Sequence, residues 1–89
     1  MSFTQDQVGR AISNIRTQLK ASGTSNIPYT KPEIVATMNF MKAVIDAPAY
    51  KTAQSNAIDN GLSGHTVSNS RKKLIHRVLL KAMLDEDLI

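Results

Sequence analysis

Two histidines, His65 and His76, and a terminal acid run, Asp85-Glu86-Asp87, are the side chains of this 89-residue sequence best suited to chemistry. Metal binding needs several such ligands to converge. The two histidines stand eleven positions apart, and consecutive acids at the end of a chain more often form a solvated tail than a site. Cysteine is absent, which removes disulfides, thiolate nucleophiles, cysteine zinc sites and iron–sulfur clusters together. No Gly-x-Ser-x-Gly elbow presents a serine nucleophile. The four glycines are scattered, so no glycine loop cradles a phosphate. Asp46 and Asp59 sit where helices begin or end. The expectation is a protein with no catalytic residue, no metal and no cofactor, and not an enzyme.

Charge is more informative. Eleven Lys and Arg face seven Asp and Glu, a net +4. Arg71, Lys72, Lys73, His76 and Arg77 crowd the start of the last apolar-periodic segment, and Asp85, Glu86 and Asp87 close it. A helix dipole favours the opposite order, and each misplaced charge costs about 0.3–1 kcal/mol at an exposed end. Either solvent screens this cost or an anionic partner offsets it at the basic end, namely a phosphate backbone or the acidic end of a neighbouring subunit. The second partner makes a head-to-tail contact, which closes into rings or runs as arrays. The interface expected on that basis comprises Arg71, Lys72, Lys73, Arg77, Leu80, Leu84, Asp85, Glu86 and Asp87, with Leu80 and Leu84 as apolar anchors.

The elements that must position these groups are helices. Thr4 with Gln7 and Thr30 with Glu33 form capping boxes, and Pro32 suits a first helical turn. Val8, Ile12, Ile15 and Leu19, then Ile34, Met38, Met41 and Ile45, recur at four–three–four spacing, one stripe of a helix in each case. Gly23 ends the first helix. Pro48 stops the second near Asp46, which then caps a weaker third helix with Tyr50, Ala53, Ala57 and Ile58 facing inward. Asn60-Gly61 closes that helix, and Leu62 folds back. A broad apolar face (Leu74, Ile75, Val78, Leu79, Ala82, Met83) marks the fourth helix, which starts after Ser68. The fold expected is all-α, a single-domain small four-helix bundle or open helical array, with helices over about 4–21, 31–46, 48–60 and 69–85 and the third short. Residues 22–29 form a linker from which Ile27 and Tyr29 could pack onto the core. With only two Phe, two Tyr and no Trp, that core is aliphatic.

No apolar run reaches the roughly 18–20 residues of a membrane span, and matching faces on the other helices bury the basic amphipathic one, so no membrane partner is expected. Residues 1–7 lack the cationic and apolar regions of a secretory leader.

Ala57, Gly61, Leu62-Ser63 and Thr66-Val67-Ser68 together resemble the helix-turn-helix signature of small DNA-binding regulators. The resemblance implies that Arg71, Lys72 and Lys73 face phosphates while His65, Ser68 and Asn69 approach base edges. Asn56, Asn60 and Ser70 stand where that family places apolar residues.

A longer resemblance runs over residues 29–81. Tyr29-Thr30-Lys31-Pro32-Glu33-Ile34, Ala57-Ile58-Asp59, Ser68-Asn69-Ser70-Arg71-Lys72-Lys73-Leu74 and Leu79-Leu80-Lys81 are similar to small uncharacterised α-helical virion proteins of tailed bacteriophages. The chain lacks an aromatic pair common in the middle of that group. The resemblance implies a structural virion protein at a capsid or head–tail position, acting by repeated protein–protein contacts as a homo-oligomer or with other virion proteins. Its place would be the virion, reached from the host cytoplasm during assembly. Nucleic acid remains a partner under the helix-turn-helix alternative.

Overall fold

In the computed structural model, which describes residues 4–23 and 28–89, four helices follow one another: α1 (Gln5–Ala21), α2 (Lys31–Ala43), α3 (Tyr50–Gly61) and α4 (Asn69–Asp85). No strand occurs among the described residues. The expected all-α class and element order are observed. Part of the expected linker, with Ile27, lies outside the described residues; Tyr29 packs half-buried against the core.

Local chemistry starts three of the helices. The Thr4 hydroxyl accepts from the Gln7 amide at 3.2 Å while Gln7 accepts from the Thr4 amide at 3.1 Å. Thr30 and Glu33 repeat the exchange at 3.4 and 2.9 Å. Ser68 accepts from the Arg71 amide at 3.3 Å. Each exchange satisfies end amides that have no partner inside the helix.

The core follows the apolar stripes. Val8, Ala11, Ile12, Ile15 and Leu19 of α1 are buried, as are Ile34, Met38 and Met41 of α2, and Ile75, Val78, Leu79, Ala82 and Met83 of α4. Helices α1 and α4 run antiparallel. Gln7 and Arg10 meet Glu86 at one end, and Ser22 and Gly23 share a surface groove with Ser68 and Arg71 at the other. Helices α2 and α3 form the second antiparallel pair, with Gly61 against Thr37 and Gln54 against the end of α2.

The middle of the chain departs from expectation. Helix α2 stops at Ala43 rather than near Asp46, and residues 44–46 form turns. Gln54 of α3 packs against this end, where its amide nitrogen donates to the Met41 carbonyl at 3.2 Å and to the Val44 carbonyl at 3.4 Å. The backbone there has tightened into three-residue turns, with the Val44 amide on the Met41 carbonyl and the Ala47 amide on the Val44 carbonyl, and Pro48 has no amide hydrogen with which to continue the α-helical pattern. Asp46 does not cap α3, whose N-cap is Ala49 with no side-chain bond. The inward face of α3 is Gln54, Ala57, Ile58 and Gly61, and Tyr50 and Ala53 are only half-buried. Reaching the α2 carbonyls turns Gln54 inward and rotates the face by one position.

Gly61 does not close α3 in a left-handed conformation. It is helical and buried, and a Cβ placed on it would lie 2.5 Å from the Thr37 Cα. Its service is close approach of two helix backbones. Leu62 does fold back: it is 2% exposed, and its amide donates to the Ile58 carbonyl at 2.9 Å.

The chain end is also anchored. The Leu88 amide reaches the Met83 carbonyl at 2.8 Å and the Asp87 amide reaches Leu84 at 3.2 Å, the paired bonds of a Schellman closure. Asp87 supplies the left-handed residue, with φ 56°, and Leu88 is buried behind it.

Two stability outcomes follow. Gly61→Ala should lower unfolding free energy by about 2–3 kcal/mol, the upper range for overpacking, because the obstructing atoms include backbone; urea denaturation measures this. Asp87→Gly should raise it by about 1 kcal/mol, since glycine adopts the left-handed conformation without a side-chain penalty.

Candidate functional site

Helix α4 carries most of the residues singled out from the sequence, and packing divides them. At about 100° per residue, Lys73, Arg77, Leu80 and Leu84 fall within roughly 60° of one another on its surface. Lys73, Arg77 and Leu84 are exposed and Leu80 is half-buried. Leu84 has 54% of its surface in solvent; with Phe40, it is one of two large apolar side chains left open among the described residues. Lys73 and Arg77 make no ion pair or hydrogen bond among the described residues. The stripe is therefore basic at its start and apolar at its end; Leu80, expected as an apolar anchor, packs partly against the core of its own chain, and Lys73, Arg77 and Leu84 stay open.

The acids expected to meet a neighbouring subunit are partly consumed at home. The Arg10 Nε lies 2.6 Å from Glu86 Oε1, and Gln7 Nε2 donates to the Glu86 carbonyl at 3.4 Å. Asn14 Nδ2 and Lys81 Nζ donate to Asp85 Oδ2 at 3.1 and 3.3 Å. Glu86 and Asp85 thus tie α4 to α1, and cations and amides of the same chain offset their unfavourable place at a helix C-terminus. Of the three terminal acids, Asp87 alone is exposed with no internal side-chain partner among the described residues.

The basic start divides in the same way. Lys72 is committed to Asp59 Oδ2 at 2.8 Å and to Ser55 Oγ at 3.3 Å, across from α4 to α3. It braces two helices rather than waiting for a partner. Arg71 borders the groove at the α1–α4 end. Ser68 and Asn69 are exposed at the first turn of α4.

His65 does not stand free at a recognition surface. Its Nε2 is 2.7 Å from Glu33 Oε2, and its ring meets Tyr29 edge-on at 5.1 Å between centroids. The Thr30 backbone amide, the strongest influence, holds the Glu33 carboxyl below its ordinary value; desolvation opposes this, while the Thr30 hydroxyl and His65 reinforce it. The cluster ties the 62–68 connection back to the start of α2. That connection is about twice the three or four residues of a helix-turn-helix turn.

A second tertiary pair lies between α3 and α4, where the Tyr50 hydroxyl and His76 Nε2 share a hydrogen bond at 3.0 Å and the rings meet at 5.7 Å. They border a groove of about 500 Å³ that Lys51, Gln54, Ser55, Ile58, Asn69, Lys72 and Lys73 complete. Gln54 is 3% exposed, and its Oε1 is the one buried side-chain oxygen or nitrogen without a partner among the described residues. An unsatisfied buried acceptor costs about 1–3 kcal/mol. No sequence pattern flagged Tyr50, Lys51 or Gln54 as functional, because nothing in local spacing joins residues of α3 to His76.

No group of three or more metal-ligating side chains converges among the described residues. No described helix is long and apolar enough to cross a membrane. Comparison with protein families, curated proteins and solved structures finds no match to this chain.

Burial alone holds the His76 pKa below 6.5. The folded state therefore resists the proton that the unfolded chain accepts, so the contribution is full above pH 6.5 and declines as pH falls from there toward the lower folded value. His76→Gln should flatten the stability–pH curve in that window, which thermal unfolding at a series of pH values would reveal. An unchanged slope would show that His76 is not the responsible group.

Proposed function

We propose that this chain is a non-catalytic structural subunit of a tailed-bacteriophage particle, working by repeated protein–protein contact at a capsid or head–tail position. The observation that carries this reading is the α4 stripe, in which the open Leu84 continues the unpaired cations Lys73 and Arg77. An exposed leucine alone is ordinary. One aligned with uncompensated charge on a rigid helix has the composition of an interface, with an apolar centre and a polar flank. The setting is proposed from the resemblance read in the motifs of residues 29–81.

The facing surface on a neighbour must be anionic. Asp6, Asp46 and Asp87 are exposed and have no side-chain partner among the described residues, so a second copy can provide it. A heterologous contact of this kind propagates into rings or arrays.

The rival reading, a small DNA-binding regulator using His65, Ser68, Asn69, Arg71, Lys72 and Lys73, has less in its favour. His65 is tied to Glu33, Lys72 to Asp59, and the connection before α4 is long for that motif.

Sedimentation of the purified chain tests the proposal. The unaltered protein should sediment as more than one chain, and Leu84→Lys or Arg77→Glu should weaken association about tenfold, a change of about 1.4 kcal/mol. Asp85→Asn should leave association intact, because its partners lie in its own protomer. A monomer at every concentration overturns the reading. Co-sedimentation with duplex DNA that weakens steeply with salt would favour the rival instead.

A further inference from the structure

The groove between α3 and α4 has the size, charge and polar lining of a ligand site, and of its lining residues Lys73 alone also belongs to the α4 stripe. At about 500 Å³, it falls within the range of small-molecule sites, which favour clefts between helices.

Its charge is uncompensated. Lys51 enters from α3, and Lys72 and Lys73 from α4. Asp59 neutralises Lys72 at 2.8 Å, whereas Lys51 and Lys73 have no partner among the described residues. Three ammonium groups against one carboxylate leave an excess of two positive charges, the complement of a phosphomonoester dianion.

The remaining lining suits a flat polar body rather than a bare ion. Ile58 gives an apolar contact, Asn69 a side-chain amide, and Tyr50 with His76 a hydroxyl and an imidazole at 3.0 Å. Gln54 adds an unusual element. The Met41 and Val44 carbonyls hold its amide nitrogen on the α2 side, and its Oε1 is buried without a donor. Gln54 also lines the groove, and a ligand N–H that reached this oxygen would give it the partner it lacks. A second basic groove, along α1 with Arg16, Lys20 and Lys31, has no buried orphan and no imidazole or amide in its lining.

We propose that the α3–α4 groove binds a nucleotide, with Lys51 and Lys73 holding the phosphate and the Gln54–Tyr50–His76 side receiving the base. The same chemistry arrives either as a free mononucleotide or as one unit of a single strand.

NMR titration of the full chain, following the His76 and Tyr50 ring signals, tests this. The probes are adenosine monophosphate, a thymidine tetranucleotide and inorganic phosphate, each at matched ionic strength. Saturable shifts with the nucleotide probes, and binding of adenosine monophosphate several-fold tighter than inorganic phosphate, are expected. The joint Lys51→Ala, Lys73→Ala variant should weaken nucleotide binding about tenfold or more, and the joint Arg16→Ala, Lys20→Ala variant should not. All four side chains are exposed, so neither variant disturbs the core. Tighter binding of the tetranucleotide assigns the groove to a strand, and tighter binding of the monophosphate to a free nucleotide. Absence of a saturable shift overturns the proposal, as does inorganic phosphate binding as tightly as the nucleotide, or equal losses in the two double variants.

Discussion

Helix α3 can lie against α2 only because position 61 carries no side chain. A single added carbon would strike Thr37 down to its backbone. With that contact in place, Gln54 comes within reach of the Met41 and Val44 carbonyls at the end of α2. The same placement brings Tyr50 to His76 and Lys72 to Asp59 and Ser55. The groove between α3 and α4 is thus set by a close approach on the same inward face of α3 that carries Gln54 and Ile58. Protein interiors transmit such constraints because they are packed as densely as crystals of small molecules.

The reversed charge order of α4 has its explanation in the fold. Acids at a helix C-terminus are unfavourable in isolation, by about 0.3–1 kcal/mol each. Here α1 runs antiparallel alongside and offers Arg10, Asn14 and Gln7 at the height where Asp85 and Glu86 stand. Those exposed pairs add only modestly to stability, yet they remove the need for an external cation. Uncompensated charge is displaced to the other end of the helix and to Lys51 on α3. Helix α4 therefore meets its surroundings with open cations and an exposed leucine, while two of the three acids at its end are engaged within the chain.

The contrast between Gly61 and Asp87 shows where local reading stops. Gly61 after Asn60 has the sequence of a helix closure, but the chain uses it as a contact surface with ordinary helical backbone. Asp87, in an acid run that reads as a loose tail, is the left-handed residue that closes α4 and carries Leu88 into the core. Asp46 before Pro48 looks like a cap and makes none, because α3 begins only at Tyr50 and its cap position falls on Ala49, three residues further on.

The sequence by itself determined the four helices, their capping boxes and the aliphatic stripes that became the core. Those features depend on groups three or four residues apart, whose spacing on a helix is set by the backbone. Tertiary structure decided which charges remain free and which polar groups meet. Tyr50 and His76 are 26 residues apart, Glu33 and His65 are 32, and Arg10 and Glu86 are 76. No local preference can specify pairs at such separations; they exist because two antiparallel helix pairs bring their ends together, and only the packed chain has those ends.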